Sequence, residues 1–264
     1  MDWWWIYLSA GAMVGFLAGL LGIGGGLTLV PILVLIFTAK GFPPEHLMHV
    51  SIATSMATVL FTSLSSVWAH HQRGGVDWAI TRAIVPGILA GSFLASQIAG
   101  FIPTRPLALI FTGFVIYAGT QMFFDTKPRA SRELPGGAGL FTAGAVIGGV
   151  SSLLAAGGAF LSIPFMTRCN VPLKRAIGTA AAIGFPIALA GSIGYVLNGL
   201  GAPGLPEGSL GFIHTPALLL VVFPSMLAAP WGARLAHRLP VTKLRLAFAL
   251  LLFALAGRML WSLW

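Results

Sequence analysis

The sequence predicts an all-α membrane protein that crosses the bilayer several times and consists of two inverted five-element repeats. Composition is the first reason, because 57% of the 264 residues are apolar and only 8% are charged, whereas soluble proteins are about 25% charged. Segment length is the second, because several apolar stretches of about 18 to 25 residues can each cross roughly 30 Å of hydrocarbon. The third reason is a set of sequence matches between the two halves of the chain.

Ten hydrophobic elements follow one another along the chain, and Gly and Pro mark most of the joins between them. The first half contains elements at roughly 3–22, 25–38, 44–69, 78–99 and 104–124. The second half contains elements at roughly 138–155, 158–168, 172–198, 212–236 and 241–262. We therefore divide the chain into a first repeat at 1–124, a cytoplasmic linker at 125–137 and a second repeat at 138–264, which together form one membrane domain.

Three matches indicate that one half is a duplicate of the other. The stretch 15–31 aligns without a gap to 148–164, with identical residues opposite Gly15, Leu20, Leu21, Gly24, Gly25 and Pro31. Further along the chain, Ile52-Ala53-Thr54 corresponds to Ile177-Gly178-Thr179, and Pro86 corresponds to Pro224. Duplicated halves are common in secondary transporters.

The basic residues predict the orientation, because cytoplasmic loops are enriched in Lys and Arg. With external termini and five crossings per half, twelve of the fifteen basic residues lie inside, and only Lys40, Arg105 and Arg258 lie outside. The inside set is Arg73, Arg82, Lys127, Arg129, Arg132, Arg168, Lys174, Arg175, Arg234, Arg238, Lys243 and Arg245. Because five is odd, the second half is inverted relative to the first.

The second element of each half is too short for an ordinary crossing. Its 14 residues in the first half and 11 in the second would reach about 21 and about 17 Å as helices, which is less than the bilayer core. We expect broken or re-entrant helices here. Backbone can leave the helical form at membrane depth only where protein or a water-filled cavity satisfies its polar groups, so these breaks indicate the substrate site.

Glycines precede both short elements and predict an anion site. The first break is Gly22-Ile23-Gly24-Gly25-Gly26 with Pro31 after it, and the second is Gly157-Gly158 with Pro164 after it. Glycines let a ligand approach bare backbone, and the helix that follows directs free N–H groups and its positive end toward that point. The predicted binding glycines are Gly24, Gly25, Gly26, Gly157 and Gly158, whereas Gly22, Pro31 and Pro164 are predicted to be structural. Close helix packing through small residues is the alternative.

Hydroxyl-bearing residues near the breaks are further candidates. A hydroxyl donates a hydrogen bond to an anion without bringing a charge into hydrocarbon. We predict that Thr54, Ser55 and Thr179 bind the substrate, because repeat symmetry places Thr54 and Thr179 near the glycine breaks. The alternative for such hydroxyls is a hydrogen bond to their own backbone or to a neighbouring helix.

The remaining polar residues exclude several function classes. All six acidic residues fall in predicted loops or at span ends, which argues against a carboxylate proton relay and an aspartyl intramembrane protease. The basic residues are scattered between spans, a pattern that indicates orientation and no nucleic-acid partner. His46 and His49 share a helix face but have no third ligand nearby in sequence, so we predict no metal site; no cofactor is predicted either.

The glycine breaks with their prolines, the two Ile-x-Thr segments and the five-plus-five layout resemble the sulfite exporter TauE/SafE family, within the toluene sulfonate uptake permease superfamily. The resemblance covers essentially the whole chain. It implies outward transport of small sulfur-containing anions, such as sulfite or organosulfonates, across the inner (plasma) membrane. The second repeat differs from the fuller motif, with Ala155, Ala156 and Ala159 opposite Gly22, Ile23 and Gly26.

The predicted function is therefore a secondary transporter, not an enzyme, that exports a small anion by alternating access in the lipid bilayer. A passive anion channel remains an alternative. A second alternative is an intramembrane enzyme or an assembly partner that transports nothing. The sequence leaves open whether the protein forms a homo-oligomer.

Overall fold

The computed structural model describes residues 3–21, 25–124, 132–236 and 241–263, which are almost entirely helical. The first half forms α1 (Trp4–Leu21), α2 (Gly26–Ala39), α3 (Leu47–Gln72), α4 (Trp78–Ala99) and α5 (Thr104–Phe123). The second half forms α6 (Gly137–Leu153), α7 (Ala159–Arg168), α8 (Leu173–Gly199), α9 (Thr215–Ala236) and α10 (Val241–Leu263). The ten predicted elements are confirmed, with every described boundary within three residues of its prediction.

The largest boundary differences, three residues each, lie at both ends of α3 and at the start of α9. Helix α3 begins at Leu47, later than predicted, because the Pro43-Pro44 pair disfavours helical backbone just before it. Helix α9 begins at Thr215 because the residues before it form a hairpin of β1 (Ser209–Leu210) and β2 (Ile213–His214). The two strands are antiparallel, with Ser209 opposite His214. The sequence analysis did not predict this hairpin.

The surface of the helices matches a lipid environment. Among the described residues, five helical segments are long and apolar enough to cross a membrane, namely α3, α4, α5, α8 and Thr215–Gly232 of α9. Large apolar side chains are exposed along these helices, such as Leu94 at 60% and Phe223 at 68%. Trp68 and Trp231 are exposed near helix ends, where indole rings prefer the headgroup interface. The chain is a multi-pass membrane protein.

The strongest packing joins helices from different halves. Helix α1 packs against α9 and helix α6 packs against α4, so the first helix of each half lies on the fourth helix of the other half. Glycines permit this close approach, since Gly15 of α1 lies on the backbone of Ser225 and Gly148 of α6 lies on the backbone of Ile88. Helices α3 and α8 pack against each other, as do α5 and α10.

The short elements are confirmed as short helices. Helix α2 has 14 residues and α7 has 10, which correspond to about 21 and about 15 Å. The connection before α7 contains Ala155 at φ 47° and Gly158 at φ 78°, a left-handed conformation that costs little only for glycine. Helix α2 is buried along most of its length and packs on α3 and α10, whereas α7 packs on α8.

Candidate substrate site

The two glycine breaks lie next to each other in the folded chain. Gly26, the first residue of α2, contacts the carbonyl oxygen of Ala155 so closely that a side chain at position 26 has no room. The hydroxyl of Ser55 donates to the carbonyl of Gly26 at 3.2 Å. Gly25 caps α2, and a Cβ at this position would lie 2.5 Å from a methyl group of Val14. Gly22 and Gly24 lie outside the described residues.

The second break forms part of the wall of a cavity of about 490 Å³. Gly157 and Ala159 line this cavity on either side of Gly158, the left-handed residue that caps α7. Helix α7 therefore begins at the cavity wall, where its positive end favours an anion. Of the predicted binding residues that the structure describes, Gly157 is the one that lines the cavity directly.

The cavity runs lengthwise between α1, α3, α8 and α9. Along α3 the lining extends from Val59 to Arg73, which spans about 21 Å at 1.5 Å per residue. Along α9 it extends from Ser225 to Arg234. The arginines of α3 and α9 are exposed at the helix ends, whereas Val59 is buried, so the arginines mark the mouth and Val59 the deep end.

The electrostatic character of the cavity is positive. The positive charge comes from Arg73 and Arg234, which line it together with the imidazole of His70, and no carboxylate is among its described lining residues. The guanidinium of Arg234 lies 5.5 Å from the centre of the Trp231 ring, a cation–π contact that leaves its N–H donors available. Asp77 is engaged elsewhere, since it caps α4 and lies 3.7 Å from Arg175.

Hydroxyls add neutral donors to the cavity wall. Thr62, Ser63 and Ser65 line it, and each donates to a carbonyl of α3 three residues earlier, at 3.3, 2.9 and 2.9 Å. In this structure all three hydroxyls are therefore bonded to the backbone of their own helix. Ser66 and Ser225 complete the hydroxyl set. A hydroxyl can rotate from a carbonyl toward an anion oxygen at little cost.

Thr54 and Thr179 lie at two equivalent helix junctions outside the cavity lining. The hydroxyl oxygen of Thr54 accepts a hydrogen bond from the His214 backbone N–H at 3.0 Å. The hydroxyl oxygen of Thr179 accepts one from the Asp77 N–H at 2.9 Å. Each threonine thus fastens the start of the fourth helix of the opposite half. The structure does not bring the two threonines together.

His214 and Asp77 cap the helices that these threonines hold. The Nδ1 atom of His214 accepts from the Ala217 N–H at 3.2 Å, and a carboxylate oxygen of Asp77 accepts from the N–H groups of Ala79 and Ile80 at 3.1 and 3.2 Å. Burial lowers the pKa of His214 to about 4, with a smaller contribution from the positive charge of Lys40. The neutral imidazole is the form that can accept at Nδ1.

Two histidines at the start of α3, His46 at its N-cap and His49 in its first turn, lie close to backbone carbonyls of other segments. His46 Nε2 lies 3.1 Å from the carbonyl of Pro203. His49 Nε2 lies 3.1 and 3.0 Å from the carbonyls of Ala99 and Ile102. In the part of the chain that the structure describes, no group of three or more His, Cys, Asp or Glu residues could hold a metal ion.

The sequence analysis did not place Arg73, Arg234 or His70 in the site. It used the basic residues of the inside loops only to orient the chain, and the sequence does not show that the ends of α3 and α9 lie side by side. Arg82 and Arg258, which also lie near span ends, are exposed and do not line the cavity.

Comparison with known proteins agrees with this architecture. Residues 7–259 match the family model described as sulfite exporter TauE/SafE. The chain belongs to the TauE/SafE family. A probable membrane transporter protein of Haemophilus influenzae is 35% identical over 253 residues, covering 96% of both chains. No solved structure matches the chain.

More distant relatives are also probable membrane transporter proteins. A probable membrane transporter protein of Bacillus subtilis is 27% identical over 94% of this chain and 96% of its own length. One of Methanocaldococcus jannaschii is 26% identical over 94% of this chain and 91% of its own length. The family and these relatives indicate a membrane transporter and not an enzyme.

Proposed function

We propose that this TauE/SafE protein is a secondary carrier that exports small sulfur-containing anions, such as sulfite or organosulfonates, by alternating access. The main support for this proposal is the cavity of about 490 Å³, which has Arg73 and Arg234 in its lining and no carboxylate among its described lining residues. Since a water molecule occupies about 30 Å³ in the liquid, the space admits a small oxyanion with part of its hydration shell.

The proposed binding point is the deep end of the cavity, where α7 begins. Gly157 exposes backbone there, and Gly158 caps the helix. Gly25, Gly26 and Ser55 lie behind this point and support it through the contact with Ala155. The arginines at the mouth attract the anion, and the N–H groups and hydroxyls at the deep end replace part of its hydration shell.

The cross-packing of the halves supports an inverted-repeat carrier. Helices α1 and α9 pair as α6 and α4 do, which is the arrangement expected when a two-fold axis in the membrane plane relates 1–124 to 138–264. Arg73 and Arg234 lie in the predicted cytoplasmic loops, so the cavity opens inward and both termini are external in an inner membrane. Rocking of the halves would then expose the site to the other side.

Export of this kind needs no coupling ion in principle. A membrane potential that is negative inside favours outward movement of an anion by about 2.3 kcal/mol per charge per 100 mV. No acidic residue lies in the middle of a predicted span, which agrees with a carrier that is driven by the potential alone.

Counterflow in proteoliposomes tests the proposal. Vesicles that contain the purified protein and are preloaded with unlabelled sulfite should accumulate labelled sulfite transiently, and organosulfonates should compete. If an unrelated solute exchanges and no sulfur anion does, the substrate assignment is wrong. A flux far above carrier turnover with no trans exchange would instead identify a passive anion channel.

A further inference from the structure

Six serine hydroxyls are buried without a hydrogen-bond partner among the described residues, and three of the six lie on the paired helices α4 and α6. These three belong to Ser92 of α4 and to Ser151 and Ser152 of α6, all of which are 0% exposed. A helix serine inside a membrane protein normally donates to a carbonyl of the preceding turn, as Ser51 does to Leu47 at 2.8 Å. Burying an unpaired hydroxyl costs free energy, so the burial of three such hydroxyls on α4 and α6 needs an explanation.

Ser92 and Ser152 lie in the closed packing between α4, α6 and α8, which we call the seam, and Ser151 directly precedes Ser152 on α6. A Cβ placed on Gly148 of α6 would lie 2.7 Å from Ser92 Oγ. A Cβ placed on Gly191 of α8 would lie 2.7 Å from Ser152 Oγ. Glycines thus let the three helices close directly over the hydroxyls.

Each serine corresponds to a cavity-lining residue in the other half of the chain. The ungapped match of 15–31 to 148–164 places Ser151 opposite Ala18 and Ser152 opposite Gly19. The match of Pro86 to Pro224 places Ser92 opposite Pro230. Ala18, Gly19 and Pro230 all line the cavity. The seam is therefore the closed counterpart of the cavity.

The bonds that close the seam are neutral. The spacing of Thr54 and Thr179 places Tyr195 opposite His70 and Asn198 opposite Arg73. The Tyr195 hydroxyl donates to the Ser152 carbonyl at 3.3 Å, and the Asn198 amide donates to the Ser96 and Gln97 carbonyls at 3.0 and 2.7 Å. Opening the seam would break these bonds without separating opposite charges.

We propose that Ser92, Ser151 and Ser152 form the anion-contacting wall of a second half of the pathway, which opens on the side opposite Arg73 and Arg234. This inference rests on the proposed carrier function. When the seam opens, the three hydroxyls donate to the oxygens of the anion, and in the closed seam they have nothing to bind. The release side of the protein would then hold its substrate through neutral donors alone.

Thiol labelling tests whether the seam opens. The variants Ser92→Cys and Ser152→Cys are made with Cys169→Ala, and an anionic, membrane-impermeant methanethiosulfonate is added to one side of the proteoliposomes at a time. From the side opposite Arg73, we expect labelling at least about tenfold faster than in the matched variant Ala108→Cys, because even a state populated at ~1% admits the reagent. Ala108 is fully buried in α5. Equal rates for the serine positions and Ala108 would overturn the proposal.

Alanine variants give a second, independent measure. Ser92→Ala and Ser152→Ala remove unpaired hydroxyls, so their melting temperatures should equal or exceed that of the wild type, while transport slows by about three- to tenfold for one lost hydrogen bond. The control Ser51→Ala removes a bonded hydroxyl and should melt lower. Wild-type transport in both serine variants contradicts the proposal. If the wild type moves no sulfur anion, the proposed function fails, and labelling still decides whether the seam opens.

Discussion

The cavity between α1, α3 and α9 and the seam between α6, α8 and α4 have equivalent helices and opposite properties. The cavity is open and basic, with Arg73 and His70 in its wall, whereas the seam is closed, with Asn198 and Tyr195 at the equivalent positions. Helix arrangement alone therefore does not decide which side is open. Side-chain size and charge at equivalent positions distinguish the two regions, and substitutions at such positions can separate the two effects.

The largest effect is expected from a bulky side chain in the seam. Gly191→Leu would force a side chain into Ser152 and Met56, since a Cβ at this position already lies 2.7 and 3.3 Å from their atoms. We expect about 3 kcal/mol of destabilisation from overpacking and loss of transport. The matched variant Ser66→Leu enters the open cavity, so it should keep its stability while transport falls. Thermal unfolding followed by tryptophan fluorescence measures the stability of both variants. Equal destabilisation of the two variants would contradict the difference between seam and cavity.

Acid pH should destabilise the start of α9, where His214 accepts a hydrogen bond from the Ala217 N–H. We expect this loss to exceed that of any single uncharged substitution at this helix start. The pKa of His214 in the folded protein is about 4, below the ordinary value of 6.5, so between these values the unfolded chain binds more protons and stability falls as the pH decreases. Above pH 6.5 the contribution is fully present. The loss at pH 5 should be about 2 kcal/mol, detectable as a lower melting temperature.

The control for this effect is His214→Asn. Asparagine keeps an acceptor oxygen for the Ala217 N–H but does not titrate, so its melting temperature should change less over the same pH range. The same acid sensitivity in both proteins would show that another group is responsible.

Charge removal at the cavity mouth should affect substrate affinity more than folding. In the double variant Arg73→Gln/Arg234→Gln, KM measured from the cavity side should rise about tenfold, because hydrogen bonds to charged groups contribute about 1.5–3 kcal/mol. The matched control Arg82→Gln neutralises an exposed arginine outside the cavity lining and should leave KM unchanged. A similar KM in all three proteins would remove the cavity as the entry site.

The smallest effect is expected at the two threonine junctions. Thr54→Val leaves the buried His214 N–H without its acceptor and should cost about 1 kcal/mol of stability. Thr179→Val should cost less, because water can reach the partly exposed Asp77 junction. Transport kinetics distinguish a structural role of the threonines from the substrate-binding role predicted from the sequence. An unchanged KM supports the structural role, and a raised KM supports substrate binding.

The helices of this fold could be predicted from the sequence because lipid imposes one simple rule on each span. Hydropathy and length located α3, α4, α5 and α8, and the glycine breaks located the short α2 and α7. The proximity of the two breaks, which the contact between Gly26 and Ala155 shows, is compatible with repeat symmetry but does not follow from it.

The site was less predictable because its contacts join residues far apart in sequence. Nothing near Thr54 in the chain indicates that its hydroxyl accepts from the backbone of His214. The convergence of Arg73 and Arg234 depends on α3 and α9 ending side by side, which composition does not reveal. The hairpin at 209–214 was missed because two-residue strands are too short to produce a periodic pattern.

The pairing of α1 with α9 has a consequence for synthesis of the protein. About 200 residues separate these helices in the chain, and ribosomes add about 5–20 residues per second. Helix α1 is therefore in the bilayer for roughly 10–40 s before its partner emerges, with the glycine face of Gly11, Gly15 and Gly19 bare. During that interval an insertase or a quality-control protease meets a helix whose glycine face has no partner, because α9 has not yet been synthesised.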